Sequence, residues 1–274
     1  MHIIAHKGEI MKKLALVLGG GACKGYAHIG VLQVLEEYGI KPDLIIGVSM
    51  GAIIGGAYSA GKSCEHLINI GKDLSQHKLI DFNLFSTFFS TGVMRGKKLK
   101  KILYKELGDV THDQLNIPFM AIAVNVLDGK LEELKDGSVV DNMLASSAVP
   151  GIFPLVSKGN KMLCDGGILN NVPDDIAKKL KSDYISLSID VIGEYIKQME
   201  NNKIKVLGML INAITLMQSK IMELKGNDSD MRIEVTQPDV KLMDFNKRSV
   251  EKSINYGYTA MKQRVGKLKK MLED

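Results

Sequence analysis

The sequence predicts an α/β fold, with three α/β/α layers around a mainly parallel central sheet, and two observations carry that expectation. Apolar runs of strand length alternate with segments of helical periodicity along the 274 residues, the pattern of a parallel sheet covered on both faces. A chain this long, 45% hydrophobic and without repeats, low-complexity stretches or linkers, fits one large core.

Residues 1–11 show no clear pattern, and Met11-Lys12-Lys13 offers an alternative start, so 1–11 are read as a peripheral leader and 12–270 as a single domain. Residues 14–18 predict a buried strand; a glycine loop follows, and 27–38 carry Ile29, Leu32 and Leu35 at helical spacing. Residues 43–48 repeat the unit: a strand, a turn at Ser49, then a helix over 52–60 that Gly61 ends in a left-handed cap. Ser63 suits the N-cap of a segment over 64–70. Further strands are expected at 119–127, around 162–164, at 184–189 and at 232–235. Residues 203–224 predict a Met-rich helix. Its stripe of Val206, Leu210, Ala213, Ile214, Met217 and Ile221 is expected to pack in the core and otherwise to face lipid. Phe82, Phe85, Phe88 and Phe89 crowd one segment that could line an acyl pocket, dip into a membrane surface or fold over the core.

Composition narrows the function. No segment reaches the roughly 20 apolar residues of a membrane span, and the run at 14–18 is too short for a signal sequence. Three cysteines, an odd number, point to reduced thiols and a cytoplasmic protein. The net charge of +5 comes from dispersed lysines, and with 8 Tyr, 7 Phe and no Trp there is no basic stripe for nucleic acid. No His, Cys or carboxylate cluster has metal-ligand spacing, so neither metal nor cofactor is expected.

Gly47-Val48-Ser49-Met50-Gly51 has the form of a nucleophile elbow: glycines two before and two after relieve crowding where a strand turns sharply into a helix. A serine needs a base. Of His2, His6, His28, His66, His77 and His112, none follows Asp165, which excludes the α/β-hydrolase order of Ser, acid and His with Asp165 as the acid. His28 sits in a helix beside the glycine loop and is read as structural. Asp165-Gly166-Gly167 follows the apolar Met162-Leu163-Cys164. Taken alone it is an ordinary turn; at a strand end of a parallel sheet, where functional residues collect, Asp165 is also a candidate base. Gly19-Gly20-Gly21-Ala22-Cys23-Lys24-Gly25 offers unobstructed backbone N–H groups for an oxyanion. Read as a dinucleotide fingerprint it fails, because Lys24 or Ala22 falls where a glycine is required. Residues 56–63 match the Walker A letters, yet they continue a helix instead of joining a strand to one. Cys23 and Cys164 adjoin two of these motifs; small buried thiols are expected, with oxidant sensitivity as the alternative.

The glycine-rich loop with a basic residue, Gly-x-Ser-x-Gly and Asp-Gly-Gly, in this order, resemble the patatin-like phospholipase family and its bacterial branch in particular. Residues 145–154, Asp244-Phe245 and Gly257-Tyr258 extend the likeness over roughly 12–268. The resemblance implies a patatin-like fold and a Ser-Asp dyad without histidine. Ser49 would be the nucleophile and Asp165 the base. Gly20, Gly21 and Ala22, with Cys23 adjoining, would form the oxyanion loop. Lys24 takes the family's basic position, with Gly25, Gly47, Gly51, Gly166 and Gly167 in support. It further implies a phospholipid or related lipid ester as substrate, transient contact with a membrane surface and a place at the inner membrane face. Burial would have to raise the pKa of Asp165 for it to act as a base. Ala22 stands where many relatives have a fourth glycine and would be tolerated at negative φ. Asn125 replaces an acidic residue common in the family. A non-catalytic lipid-binding module and a nucleotide-binding protein are the competing readings.

Overall fold

The computed structural model describes residues 12–76, 96–180, 184–193 and 206–274. The leader, His2, His6, His77, the phenylalanine cluster at 82–89 and residues 203–205 lie outside them. Within them, β1 (Lys13–Leu18), α1 (Ala27–Glu37), β2 (Leu44–Gly47), α2 (Met50–Ser59) and α3 (Cys64–Gln76) follow the order read from the sequence. Gly61 takes the left-handed cap with φ +87°, and Ser63 Oγ accepts the His66 N–H at 3.2 Å. Residues 56–59 lie inside α2, so the Walker-like stretch has no strand to serve and the nucleotide-binding reading falls.

The chain continues through α4 (Lys97–Leu107), β3 (Phe119–Asn125), β4 (Lys130–Leu134), α5 (Val139–Ser146), β5 (Val156–Lys158) and β6 (Lys161–Asp165). It ends with α6 (Asp174–Lys178), β7 (Tyr184–Asp190), α7 (Val206–Lys225), β8 (Met231–Glu234), α8 (Lys247–Lys262) and α9 (Val265–Glu273). Among the described residues eight strands form one sheet in the order β5-β6-β3-β2-β1-β7-β8, with β4 also on β3. The pairs β3/β2, β2/β1, β1/β7 and β7/β8 are parallel. The pairs of β3 with β4 and β6, and of β5 with β6, are antiparallel. The sheet is therefore mixed, its antiparallel part gathered around β3.

Strand periodicity divides the core into two layers. Leu14, Leu16 and Leu18 face the larger cluster with α1, α2, α5 and α8. Ala15, Val17, Ile46 and Val48 face a thinner one closed by Ile176 of α6 and Met222 of α7. That thin layer is held partly by charge: Lys225 Nζ donates to Asn170 Oδ1, Val172 O, Asp174 Oδ1 and Asp175 Oδ1 at 2.6–3.0 Å. The stripe expected to pack α7 into the core does not do so. Leu210, Ala213 and Met217 are exposed and Ile214 and Ile221 half-buried, because the helix contacts the body through the face bearing Thr215 and Met222.

One arrangement decides where the site can be. On β3, Pro118 O accepts the Ile45 N–H from the β2 side and Val126 N–H donates to Met162 O on the β6 side. Residues of equal parity face the same edge of a strand, whereas Asn125 O, of opposite parity, accepts from Gly129 N–H in the β3–β4 turn. β2 and β6 therefore lie end to end along one edge of β3, running toward each other. β2 stops where Gly47 pairs with Ala121, and β6 stops where Asp165 pairs with Ala123.

The chain closes on itself at the far side, where Lys12 N–H donates to Leu272 O at 3.0 Å. Just beyond the glycine loop, α1 and α8 cross in direct backbone contact: a Cβ on Gly257 would fall 1.9 Å from Ala27 O, and one on Gly30 2.0 Å from Ile254 O. Gly257→Ala is expected to lose about 3 kcal/mol in urea unfolding, while an alanine at the open Gly266 changes stability little.

Candidate active site

The elbow forms at the junction on β3. Ser49 sits between β2 and α2 with φ 54° and ψ −123°, a conformation costly for any residue with a Cβ. Its N–H is shared between Ser146 O (3.2 Å) and Ser146 Oγ (3.1 Å), and Ser146 Oγ donates to Ile122 O, the carbonyl facing the gap between β2 and β6. Ser147 Oγ lies 3.1 Å from Ser49 O as donor. Close packing explains the flanking glycines: a Cβ on Gly51 would lie 2.2 Å from Leu18 O, and one on Gly47 2.7 Å from Gly51 O.

Asp165 closes the gap from the other side and is 3% exposed. Its Oδ1 accepts the Gly167 N–H at 2.8 Å, while its buried Oδ2 has no hydrogen-bond partner. Burial raises the carboxyl to about 6; the nearby Ser49 hydroxyl and the Gly167 N–H pull it down. Gly166 lies against Ile122 O, where a Cβ would approach to 2.3 Å.

The glycine loop differs from expectation in two respects. Gly20 N–H is taken by Asn171 O (3.1 Å) and Cys23 N–H by Leu242 O (2.9 Å), so these two donors are already engaged. Gly21 and Ala22 make no backbone N–H bond to described residues and line one cleft with Ser49 and Asp165. Ala22 has φ +43°, not the negative value expected of an alanine, because it opens the tight turn (Ala22–Tyr26) that leads into α1. Ser49 and Ala22 are the two non-glycine residues with positive φ among the described residues, and both line this cleft. Lys24 is buried, its pKa lowered by burial with Asp190 opposing. Its carbonyl accepts from Gln237 Nε2 and Ser253 Oγ, both at 2.9 Å, and Gly25 packs on Met50.

The cleft, of about 70 Å³, has mainly apolar walls that include Val149, Ile152, Ile211 and Ile214. A more polar cavity of about 630 Å³ adjoins it, sharing Asn171, Ile192 and Gln218. Among the described residues no cluster of His, Cys, Asp or Glu could hold a metal.

The patatin-like phospholipase family model matches residues 16–178, more than half of the chain, a span that holds the glycine loop, the Ser49 elbow and Asp165. The chain belongs to this family. It is 35% identical over 167 residues to an uncharacterized NTE family protein of Mycobacterium tuberculosis, covering 61% of this chain and 46% of that one. It is 31% identical over 182 residues to patatin-like phospholipase domain-containing protein 6 of Homo sapiens, covering 65% of this chain and 13% of that one. The chain thus spans less than half the length of these curated relatives. Its fold is like that of VipD from Legionella pneumophila, with a TM-score of 0.57, 14% identity and coverage of 94% and 67% of the two chains.

The other groups weighed for this family site have different tasks. His28 Nε2–H donates to Gly19 O at 2.8 Å, and burial lowers its pKa to about 4, so it is a neutral prop of the loop. His66 pairs with Glu106 at 2.9 Å, and His112 bonds Phe119 O and Asn142. Cys23 donates to Asp244 O at 3.0 Å, and burial pushes both Cys23 and Cys164 up to about 12, which favours the protonated thiol. Asn125 accepts the Leu127 and Met162 N–H groups and tightens the strand end.

Asn171 is the residue that sequence reasoning missed. Besides accepting from Gly20 N–H with its main-chain carbonyl, it donates from Nδ2 to Gly20 O at 3.1 Å, holding Gly20 through both of its peptide groups. The signal was present in Asn170-Asn171-Val172-Pro173 directly after Asp165-Gly166-Gly167, but no spacing rule reveals a partner 151 residues away.

The unfolded chain holds Asp165 at an ordinary carboxyl pKa, so its raised value binds extra protons in the native state, and ionisation costs stability as pH climbs from about 4 to about 6. Asp165→Asn should therefore be more stable than wild type at pH 8, by up to about 3 kcal/mol. The gain should vanish at pH 4, as calorimetry at the two pH values will show.

Proposed function

We propose that the protein is a serine acyl hydrolase that cleaves carboxyl esters of phospholipids or related lipids through a Ser49–Asp165 dyad. The observation that carries this reading is the buried, unpartnered Asp165 Oδ2 beside a strained Ser49 in one cleft. Asp165 Oδ2 takes the Ser49 hydroxyl proton as Oγ attacks the ester carbonyl. The N–H groups of Gly21 and Ala22, at the head of α1's leading turn, receive the oxyanion, and each well-placed donor is worth about 3 kcal/mol. Collapse expels the alcohol, which takes the proton back from Asp165, and leaves the acyl group on Ser49. Asp165 then activates the water that releases the acid.

A pKa near 6 supports this role: at neutral pH the carboxylate is ionised, yet basic enough to share a serine proton. The apolar cleft suits an acyl chain. The similarity to a lysophospholipase of Emericella nidulans, 31% identical and matched over 66% of this chain and 12% of that protein, supports a lipid substrate. Three buried free thiols suit a reducing cytoplasm, with the enzyme meeting lipid at the inner membrane face.

A fluorophosphonate probe should label the wild type and not Ser49→Ala; absence of wild-type labelling would leave the non-catalytic lipid-binding reading. With p-nitrophenyl butyrate, kcat/KM should rise with pH through about 6 as Asp165 ionises, and Asp165→Asn should lose at least about 100-fold at pH 8. Asn171→Ala, which removes the Nδ2–H bond to Gly20 O and leaves the main-chain bond to Gly20 N–H in place, should lower kcat about 10- to 100-fold with little change in KM.

A further inference from the structure

We propose that the outer face of α7 is the surface by which the protein docks on an anionic membrane, setting the cleft against the lipid that supplies its substrate. The proposal rests on the lipid-hydrolase reading of the cleft. Helix α7 roofs that cleft: Ile211, Ile214, Thr215 and Gln218 line it from above. Its opposite face should be polar if water were its permanent neighbour. Instead Met209 is 59% exposed, Met217 62% and Leu224 88%, with Leu210, Ala213 and Leu216 also exposed in the same arc. The charged residues in that arc, Lys220 and Glu223, neutralise each other in a 2.5 Å pair.

The apolar surface continues around the cleft mouth. Leu210 packs on Gly151, and across the opening Met243, 40% exposed, lines the cleft itself. Exposed lysines lie close in sequence or in space to residues of the cleft wall. Lys241 is exposed two residues before Met243. Lys97 is exposed in a groove with Phe153 and Ala148, the latter next to cleft-lining Val149. An apolar patch of flexible methionine and leucine side chains bordered by lysines complements a surface of acyl chains under anionic phosphates. No described helix is long and apolar enough to cross the membrane, so the contact would be interfacial.

The test is co-sedimentation of the whole protein with phosphatidylcholine vesicles, with and without phosphatidylglycerol, beside hydrolysis of soluble p-nitrophenyl butyrate. Wild type should bind the anionic vesicles more tightly and release from them as salt rises. Met209→Glu/Met217→Glu, altered on the exposed face alone, should bind at least about tenfold more weakly, the loss expected from two buried side chains, while cleaving the soluble ester at the wild-type rate. Equal vesicle binding by the double variant, or no binding by wild type, would overturn the proposal. A concentration-dependent dimer of wild type that the variant fails to form would assign the face to a second copy instead. Loss of soluble-ester cleavage by wild type would count against the hydrolase reading, and the vesicle measurement would still be read separately.

Discussion

Two strands share one edge of β3, and the rest of the site depends on that sharing. A parallel sheet brings the carboxyl ends of its strands to one rim, which would put two functional side chains side by side. Here β2 arrives parallel to β3 and β6 antiparallel, so their ends face each other across a single residue of β3, Ile122. The carbonyl of Ile122 would be an orphaned acceptor in that break. Ser146 Oγ fills it and at the same time accepts from the Ser49 N–H. The interruption in the ladder is thus the device that fixes the elbow.

In the proposed dyad the two side chains have opposite needs. A nucleophile has to be reachable, and Ser49 is half-buried; a base of raised pKa has to be dry, and Asp165 is almost wholly enclosed. The enclosure raises the carboxyl pKa and leaves Oδ2 without a partner, a cost that an optimised core would avoid. The ionic cluster around Lys225 works in the other direction. It fixes residues 170–175 and the end of α7 with several charge-assisted bonds, and Asn171 inside that segment fixes Gly20.

The elbow, the loop and Asp165 were legible in the sequence because each rests on a local backbone demand that glycine or a strand end satisfies. The parallel strands were legible because two-sided burial writes continuous apolar runs such as Leu14 to Leu18. The antiparallel part was harder to read: β4 is Lys-Leu-Glu-Glu-Leu and β5 has three residues, so neither carries an apolar signal. Likewise the donors spent at Gly20 and Cys23 were invisible, since their partners Asn171 and Leu242 are remote in sequence. Helix α7 misled for a different reason. Periodicity reveals an apolar stripe but not which way it faces, and here Leu210, Ala213 and Met217 turned outward while Ile214 turned to the cleft.

The bond from Lys12 to Leu272 places the two ends of the described domain side by side on the surface remote from the cleft. A fold with adjoining ends is topologically a closed ring cut at one point. Joining residues 12 and 274 by a short bridge and opening the chain at the exposed β3–β4 turn would leave every strand neighbour, and the meeting of β2 with β6, unchanged.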